Sequence, residues 1–413
     1  MEHQSLVPHI IAIMALFFIA AISSIALRRI KIPYTIGLVV VGVLIAYMAK
    51  DVEALDIVRD IRLSHDVILY VLLPTLIFEA SISINSRLLF KNLVPILLFA
   101  IPGLLVSTLI VGTIMSIFTP LHLGTAILFG ALISATDPVS VVSLFKEIGA
   151  PKRLTILVDG ESLFNDAAAI VLFNIIAVGI VSQLTFDMEN VLYGTLYFLK
   201  VFFGGIAIGA IIGYVISWII SNSRNEPATN IALSTVLAYT SFITAEYFFE
   251  VSGVMAVLAS GMLLSWQKLT QETEQQLHYF WEYAAFVCNS FIFLLLGVAE
   301  LQLILMIGEK DNILLYMAIA VLAVTLARMF VVFVMPHIMP FRFTKINTRY
   351  KTIIFWGGLR GAVPLALVLS LSRNFESHQL LVELTLGVVL FTLLVQGPTI
   401  KPLMRALGIK AEK

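Results

Sequence analysis

Apolar segments of about 20 residues recur from one end of this chain to the other. An α-helix of that length crosses the roughly 30 Å hydrocarbon core of a bilayer, and repeated segments of this kind are typical of a polytopic membrane protein. Hydrophobic residues make up 60% of the 413 residues and charged residues 13%, whereas a soluble domain usually has about 25% charged residues. We therefore predict an all-α polytopic membrane protein without a separate soluble domain.

Thirteen of these segments are predicted to be transmembrane helices. In the first, residues 6–27, the positive charges follow the apolar run, which is the reverse of a secretory signal peptide. We expect it to be retained with its N-terminus outside. The predicted helices span residues 6–27, 33–49, 65–84, 93–118, 122–145, 154–182, 191–221, 230–248, 251–266, 281–305, 312–341, 351–372 and 379–404. They form one membrane domain, residues 1–405, followed by a short cytoplasmic tail, residues 406–413.

The basic residues of the loops support this topology. With the N-terminus outside, eighteen Lys and Arg residues fall in the inner loops and the C-terminal tail, and five fall in the outer loops. Cytoplasmic loops carry an excess of Lys and Arg, so the bias favours an N-out and C-in arrangement in a cell membrane. The net charge of zero gives no footprint for nucleic acid, and the single Cys288 excludes an intrachain disulfide and a cysteine metal cluster.

Two predicted helices are interrupted in mid-span. The fifth, FGALISATDPVSVVSLF, has Thr136, Asp137 and Pro138 at its centre, and the twelfth, FWGGLRGAVPLALVLSL, has three glycines with Arg360 and Pro364. Proline removes a helix donor and glycine loosens a turn, so both segments should unwind at membrane depth, where backbone must line a cavity or be covered by protein. The two helices are seven apart and cross in opposite directions. This pattern predicts an inverted-repeat transporter with its site at the crossing.

Several ionisable residues lie inside the predicted helices. An ionised side chain at the bilayer centre costs roughly 2.5 to 3.5 kcal/mol, so each is a functional candidate. They are Glu79, Asp137, Asp159, Glu161, Asp166, Lys200, Glu246, Arg328 and Arg360.

The stretch DGESLFND, residues 159–166, carries two polar faces. Ser162 and Asp166 are four residues apart and share one face of a helix, while Glu161 and Asn165 share the neighbouring face. The oxygens of Ser162 and Asp166 suit a small hard cation. The carboxylates available to complete a cage of oxygens are those of Asp137 and Glu79.

Glu161 needs a positive partner if it is to stay charged in the membrane. Arg328 is isolated in an apolar helix and is the economical choice, with Arg360 as a second possibility, because either charge alone would be expensive. We expect a structural role for the pair of Glu161 and Arg328. Asp159 is expected to complement the N-terminal charge of its helix, and Lys200 and Glu246 remain unassigned.

The motifs TDP, GESLFND and GGLRGAV, at residues 136–138, 160–166 and 357–363, occur in this order in the fifth, sixth and twelfth helices. Together they resemble the sodium/proton exchanger superfamily, in particular the NhaP-type branch that includes the animal sodium/hydrogen exchangers. The resemblance implies a homodimer of thirteen-helix domains. Each would have a dimerisation part and a mobile core, built from helices near 65–182 and 312–404, that moves one ion by an elevator-like shift.

The resemblance also implies the roles of individual residues. Asp166 binds the cation or the proton, Asn165 supports the site without binding the ion, and Glu161 pairs with Arg328, with Arg360 a further supporting residue. The implied ligands of Na+ are Asp166, Asp137, Ser162, Glu79 and the backbone of Thr136.

We therefore expect a secondary active antiporter that exchanges Na+ or Li+ for H+ by competition at Asp166 with alternating access, without a bound cofactor. Relatives that move net charge have a second Asp where this chain has Asn165, which favours electroneutral one-to-one exchange. A K+/H+ antiporter of the same fold and, more distantly, a cation channel are the alternatives. Asp137 and Asp166 lack the Gly-x-Gly-Asp setting of an intramembrane aspartyl protease, and the chain has no GxxxxGK[ST] or HExxH motif, so no enzyme is expected.

Overall fold

The structure is a computed structural model that describes residues 6–30, 34–48, 67–137, 141, 145, 149–181, 188–223, 226–267, 269–306, 312–338, 346–372 and 374–409. Pro138 of the TDP motif lies outside the described residues. So do many of the basic residues behind the predicted topology, namely Lys31, Lys50, Arg59, Arg62, Lys146, Arg224, Lys268, Lys310, Arg342, Lys345, Arg373, Lys410 and Lys413.

All regular secondary structure in the described residues is helical. The first nine helices are α1 Leu6–Ile30, α2 Tyr34–Met48, α3 Leu73–Ser83, α4 Ser86–Lys91, α5 Leu93–Ala100, α6 Pro102–Phe118, α7 Leu123–Ser134, α8 Lys152–Val181 and α9 Met188–Asn222. The remaining nine are α10 Pro227–Ile243, α11 Gly253–Trp266, α12 Gln271–Met306, α13 Ile313–Met329, α14 Met335–Ile338, α15 Thr348–Trp356, α16 Ala362–Ser370, α17 His378–Phe391 and α18 Gly397–Ala406. Four π-helical turns adjoin them, at Ile68–Leu72, Thr244–Phe248, Phe330–Val334 and Thr392–Gln396.

Several of these helices are long and apolar. Within the described residues, the segments that could cross a membrane by length and composition are Leu93–Phe118, Lys152–Ile180, Leu192–Asn222, Pro227–Phe248, Ile313–His337 and His378–Ala406. Shorter apolar helices include Ile13–Leu27, Gly37–Met48 and Gly253–Trp266. The all-α membrane class is therefore confirmed, whereas the count of thirteen spans, the inverted repeats and the orientation stay predictions.

Some predicted boundaries are wrong. The helix expected at 281–305 begins ten residues earlier, at Gln271, because its first turns are polar but rich in Gln and Glu, which are good helix formers. The helix expected at 93–118 has the predicted bounds, but it is interrupted between α5 and α6 at Ile101, which has φ −108° and ψ −70°. Pro102 follows Ile101 and disfavours helical geometry at that residue.

The helices that carry the predicted motifs pack on one another. A large hydrophobic core joins α3, α5, α6, α7, α8, α13, α15 and α16, while α1, α2 and α12 share a second cluster with Leu365 of α16. At Gly112 of α6, an added Cβ would lie 2.8 Å from the Cα atom of Ile127. The backbones of α6 and α7 therefore touch, and α7 is held firmly up to the residue where it ends.

Candidate functional site

Helix α7 ends at Ser134, in the middle of the predicted fifth span, and the backbone continues extended through Ala135. The carbonyls that lose their helical partners here would be costly to leave without hydrogen bonds at membrane depth. Arg360 supplies the donors: its Nη1 atom lies 2.8 Å from the carbonyl oxygens of both Ser134 and Ala135. Arg360 is only 1% exposed, so it serves here as a partner for broken backbone.

The predicted twelfth span is broken as well. Helix α15 ends at Trp356 and α16 begins at Ala362, with residues 357–361 unwound between them. The backbone amide of Asp137 donates to the carbonyl of Leu359 over 2.8 Å. The two interrupted segments therefore meet and are joined by backbone.

Glycine at position 361 allows this close approach. A Cβ atom added to Gly361 would collide with the carboxylate of Asp137. The amide of Arg360 donates to Oγ1 of Thr392 over 3.1 Å, which anchors the segment to the π-helical turn after α17. The GGLRGAV motif thus holds the unwound backbone beside an acid of the other break.

In α8, Ser162 and Asn165 of the DGESLFND stretch contact the unwound backbone that follows α7. The side-chain nitrogen of Asn165 donates to the carbonyl of Ser134 over 2.9 Å and to Oγ1 of Thr136 over 3.3 Å. The hydroxyl of Ser162 donates to the carbonyl of Thr136 and lies 3.2 Å from the hydroxyl of the same threonine. Two of the expected cation ligands, Ser162 and the backbone of Thr136, therefore face each other.

Asp166 lies at the same place but is not saturated by protein contacts. Its Oδ1 atom is buried and has no hydrogen-bond partner among the described residues. The carboxylate interacts with the backbone of Thr136 and is within electrostatic range of Asp137 and Arg360. A buried carboxylate oxygen without a partner is unusual and expensive, so this atom is the part of the site best suited to take a proton or a cation.

Glu79 has a different set of described contacts. Its Oε1 atom accepts a hydrogen bond from Ser83 over 2.9 Å, and the Ser83 hydroxyl lies 3.4 Å from Nδ1 of His278. In the described part of the chain, no three His, Cys, Asp or Glu side chains are grouped closely enough to hold a metal ion. The structure thus brings Thr136, Ser162 and Asp166 together, and ligation by Glu79 stays a prediction.

The buried side chains of Glu161 and Arg328 form an ion pair between α8 and α13. Nη2 of Arg328 lies 3.0 Å from Oε2 of Glu161, and Nη1 contacts Oε1. Nε and Nη2 of Arg328 also donate to the carbonyl of Ile354, over 3.3 and 2.9 Å. The partner of Glu161 is therefore Arg328 and not Arg360, and the pair connects α8 and α13 with α15.

The other ionisable candidates lie away from these contacts. Asp159 is the eighth residue of α8, beyond the first turn, so its predicted role as an N-terminal charge complement is wrong, since that effect is confined to the first turn. Glu246 accepts the amide of Gly253 over 2.8 Å and thus satisfies a free N–H at the start of α11. Lys200 is exposed on α9. Sequence reasoning missed Glu383, which is 2% exposed in α17, although an isolated acid in VELTLGVV met the same criterion.

Comparisons with known proteins identify the family of this chain. The model of the family described as "Sodium/hydrogen exchanger, transmembrane" matches residues 13–406. The Na+/H+ antiporter ApNhaP of Aphanothece halophytica is 37% identical over 402 residues, which are 96% of this chain and 73% of the relative. The Na+/H+ antiporter NhaG of Bacillus atrophaeus is 36% identical over 423 residues, 100% of this chain and 78% of the relative.

An animal protein and a solved structure extend the comparison. Sodium/hydrogen exchanger 8 of Homo sapiens is 30% identical over 401 residues, 92% of this chain and 68% of the relative. The solved structure of the sodium proton antiporter MjNhaP1 of Methanocaldococcus jannaschii at pH 8 superposes with a TM-score of 0.77 at 17% identity, covering 97% of this chain and 99% of that one, which shows a shared fold. The resemblance seen in the motifs is confirmed: this chain belongs to the sodium/hydrogen exchanger family.

Proposed function

We propose that this protein is a transporter that exchanges Na+ or Li+ for H+ across the membrane. The observation that carries the proposal is the buried Oδ1 atom of Asp166, which has no hydrogen-bond partner among the described residues and lies beside the unwound segment at residues 135–137. The relatives named as Na+/H+ antiporters match over most of the chain. The family is one of transporters, which supports transport and not catalysis.

Competition at Asp166 provides the coupling. Removal from water disfavours a bare carboxylate, so the ionised form needs a cation beside it and the neutral form carries a proton. The Thr136 carbonyl and the Ser162 hydroxyl, which are hydrogen-bonded to each other, would turn their oxygens to the cation, with Asp137 and Glu79 completing the set. One site then holds either ion but not both.

Asn165 favours an electroneutral one-to-one exchange. Its amide donates to Ser134 and Thr136, so this position supports the broken backbone with a neutral group. Each cycle would then carry one positive charge in each direction.

Alternating access would move the site as part of a core. We propose thirteen transmembrane helices with the N-terminus outside and the C-terminus inside. They would form inverted repeats, and the two broken helices would cross where the amide of Asp137 bonds to the carbonyl of Leu359. The core contains the helices near 65–182 and 312–404, and the other helices of the 1–405 domain pair two copies in the cell membrane. The end of α18 would then lie on the cytoplasmic side.

Proton movement in proteoliposomes tests this proposal. Purified protein is reconstituted with a pH-sensitive dye inside, and Na+, Li+ or K+ is added outside at several pH values. We expect saturable proton movement with Na+ and Li+ and little with K+. If K+ drove more proton movement than Na+, the transported cation would be K+ and not Na+. A cation flux without proton movement would contradict exchange.

A further inference from the structure

A small cavity lies between α13, the unwound residues 357–361 and the π-helical turn that follows α17. Its volume is about 10 Å³, which is room for about one water molecule. The polar side chains that line it belong to Thr325, Arg328, Arg360, Thr392 and Gln396, and all of these residues except Thr325 are buried. The cavity is therefore a polar space for one small molecule inside the protein.

Arg360 brings an unused hydrogen-bond donor to this cavity. Its Nη1 atom holds the carbonyls of Ser134 and Ala135 over 2.8 Å each. Its Nε atom is buried and has no hydrogen-bond partner among the described residues. Buried donors without a partner are rare, and each one calls for an explanation. A small molecule in the cavity that accepts a hydrogen bond would satisfy this atom.

Arg328 lines the same cavity, but its guanidinium is already engaged. Nη1 and Nη2 contact the carboxylate of Glu161, and Nε and Nη2 donate to the carbonyl of Ile354. Each of its three nitrogens thus has a partner. Arg360 is therefore the guanidinium that a molecule in this cavity would bind.

The other polar groups of the wall indicate which molecule fits. The Thr325 hydroxyl donates to the carbonyl of Val321 over 2.7 Å, so its oxygen is left as an acceptor. The amide of Gln396 offers an oxygen that also accepts. An anion such as chloride could not donate to these oxygens. A water molecule can accept from Nε of Arg360 and donate to both of them.

The π-helical turn Thr392–Gln396 already holds the backbone of Arg360. The amide of Arg360 donates to Oγ1 of Thr392, the first residue of the turn, over 3.1 Å. Gln396 is the last residue of the same turn and lines the cavity together with the Arg360 side chain. Turns of this kind are frequent at functional sites. One turn can therefore hold Arg360 twice, at its backbone and, through a water, at its guanidinium.

We propose that a water molecule binds in this cavity between Arg360, Thr325 and Gln396, and that Gln396 is through it a positioning residue for the exchange reaction. This inference rests on the proposed antiport function. Gln396 acts at a distance from the ion: it fixes the guanidinium that holds the carbonyls of Ser134 and Ala135. These two residues directly precede Thr136, whose carbonyl is an expected ligand of the cation.

Two substitutions that roughly keep the side-chain size test the shared water in proteoliposomes. Gln396→Met and Thr325→Val each remove one acceptor. We expect each to raise the Na+ KM by about threefold to tenfold, as for the loss of one hydrogen bond, with a smaller change in maximal rate. Because both residues act through one water, the double variant should raise the KM no further than the stronger single variant. Gln396→Asn, which keeps an amide, should restore a KM near that of the unmodified protein.

The control variant is Gln276→Met, since Gln276 bonds Glu272 near the start of α12. Its Na+ KM should equal that of the unmodified protein. Unchanged KM values in both Gln396→Met and Thr325→Val would overturn the positioning role of Gln396. Multiplied effects in the double variant would overturn the shared water.

A crystal structure of the unmodified protein, grown in bromide at a resolution that shows ordered water, tests the site directly and does not depend on how a variant folds. We expect water density in the cavity without an anomalous signal. An anomalous bromide peak there would make the occupant an anion, and a cavity without density would also overturn the proposal. Failure of the antiport function is distinguishable, because the unmodified protein would then show no cation-driven proton movement while the water density remained.

Discussion

The backbone amide of Asp137 and the carbonyl of Leu359 are joined by a hydrogen bond of 2.8 Å, and this bond connects the two places where a helix of the chain is broken. Arg360, the next residue, crosses back to the carbonyls of Ser134 and Ala135. The two breaks thus satisfy much of each other's freed backbone. Asp166 of α8 lies beside this crossing, which explains how a carboxylate can be held against unwound chain inside an apolar protein.

Gly361→Ala should impair cation binding. The new Cβ would collide with the Asp137 carboxylate and displace it. A displacement of about 1 Å at a functional group can lower activity by about tenfold or more. We expect the Na+ KM for exchange to rise by about tenfold or more. Gly179→Ala is the matched control, because nothing lies within 4 Å of a Cβ at that position. Equal KM values for the two variants would contradict the contact.

Removal of one partner of the Glu161 and Arg328 pair should destabilise the fold. Both side chains are buried, and loss of one leaves an uncompensated charge that costs about 3 to 5 kcal/mol. We expect Glu161→Gln and Arg328→Gln to lower the melting temperature in detergent strongly. The double variant should lower the melting temperature by less than the sum of the two single variants.

A suitable control for the ion pair is Glu376→Gln, whose partner His122 is exposed. Because exposed ion pairs contribute little, its melting temperature should stay near that of the unmodified protein. If Glu161→Gln and Arg328→Gln melted at the temperature of the unmodified protein, the ion pair would have no stabilising role.

Ser162→Ala should weaken the binding of the cation more than the binding of the proton. The Ser162 hydroxyl contacts the Thr136 carbonyl and is one of the expected oxygen ligands, whereas the proton is expected on Asp166. We expect a higher Na+ KM and a smaller change in maximal rate, measured as exchange against Na+ concentration. A lowered maximal rate with an unchanged Na+ KM would contradict the assignment of Ser162 as a cation ligand.

Exchange should respond little to the membrane potential. Asn165 is neutral and is engaged with Ser134 and Thr136, so one cation for one proton moves no net charge. The measurement compares Na+-driven proton movement in proteoliposomes with and without a potential imposed by an ionophore. A steep dependence on the imposed potential would show a second titrating group in the cycle.

The breaks were predictable from local signals, and the ion pair was predictable from the cost of leaving either charge alone. TDP and GGLRGAV place proline and glycine where a helix cannot continue, and the cost of an isolated charge in an apolar helix points from Glu161 to Arg328. The contacts of Arg360 were not predictable, because a side chain next to unwound backbone has no fixed helical direction. The sequence pattern offered Arg360 only as a second possible partner for Glu161, and the family resemblance implied a supporting role.

Glu79 and α12 show where pattern reasoning falls short. Ser83 is four residues after Glu79 and bonds to it on the same helix face, a relation that the spacing could have suggested. The approach of His278 to Ser83 depends on how α3 and α12 pack, which no spacing encodes. Helix α12 starts early because hydropathy marks the apolar span and not the polar turns that precede it.

The most direct measurement is Na+-driven proton movement in proteoliposomes that contain Asp166→Asn, compared with the unmodified protein and with Glu226→Gln, an acid that bonds Thr229 at the exposed start of α10. We predict no exchange in Asp166→Asn, a melting temperature at or above that of the unmodified protein, and normal exchange in Glu226→Gln. Exchange by Asp166→Asn at the rate of the unmodified protein would contradict the assignment of Asp166 as the residue where cation and proton compete.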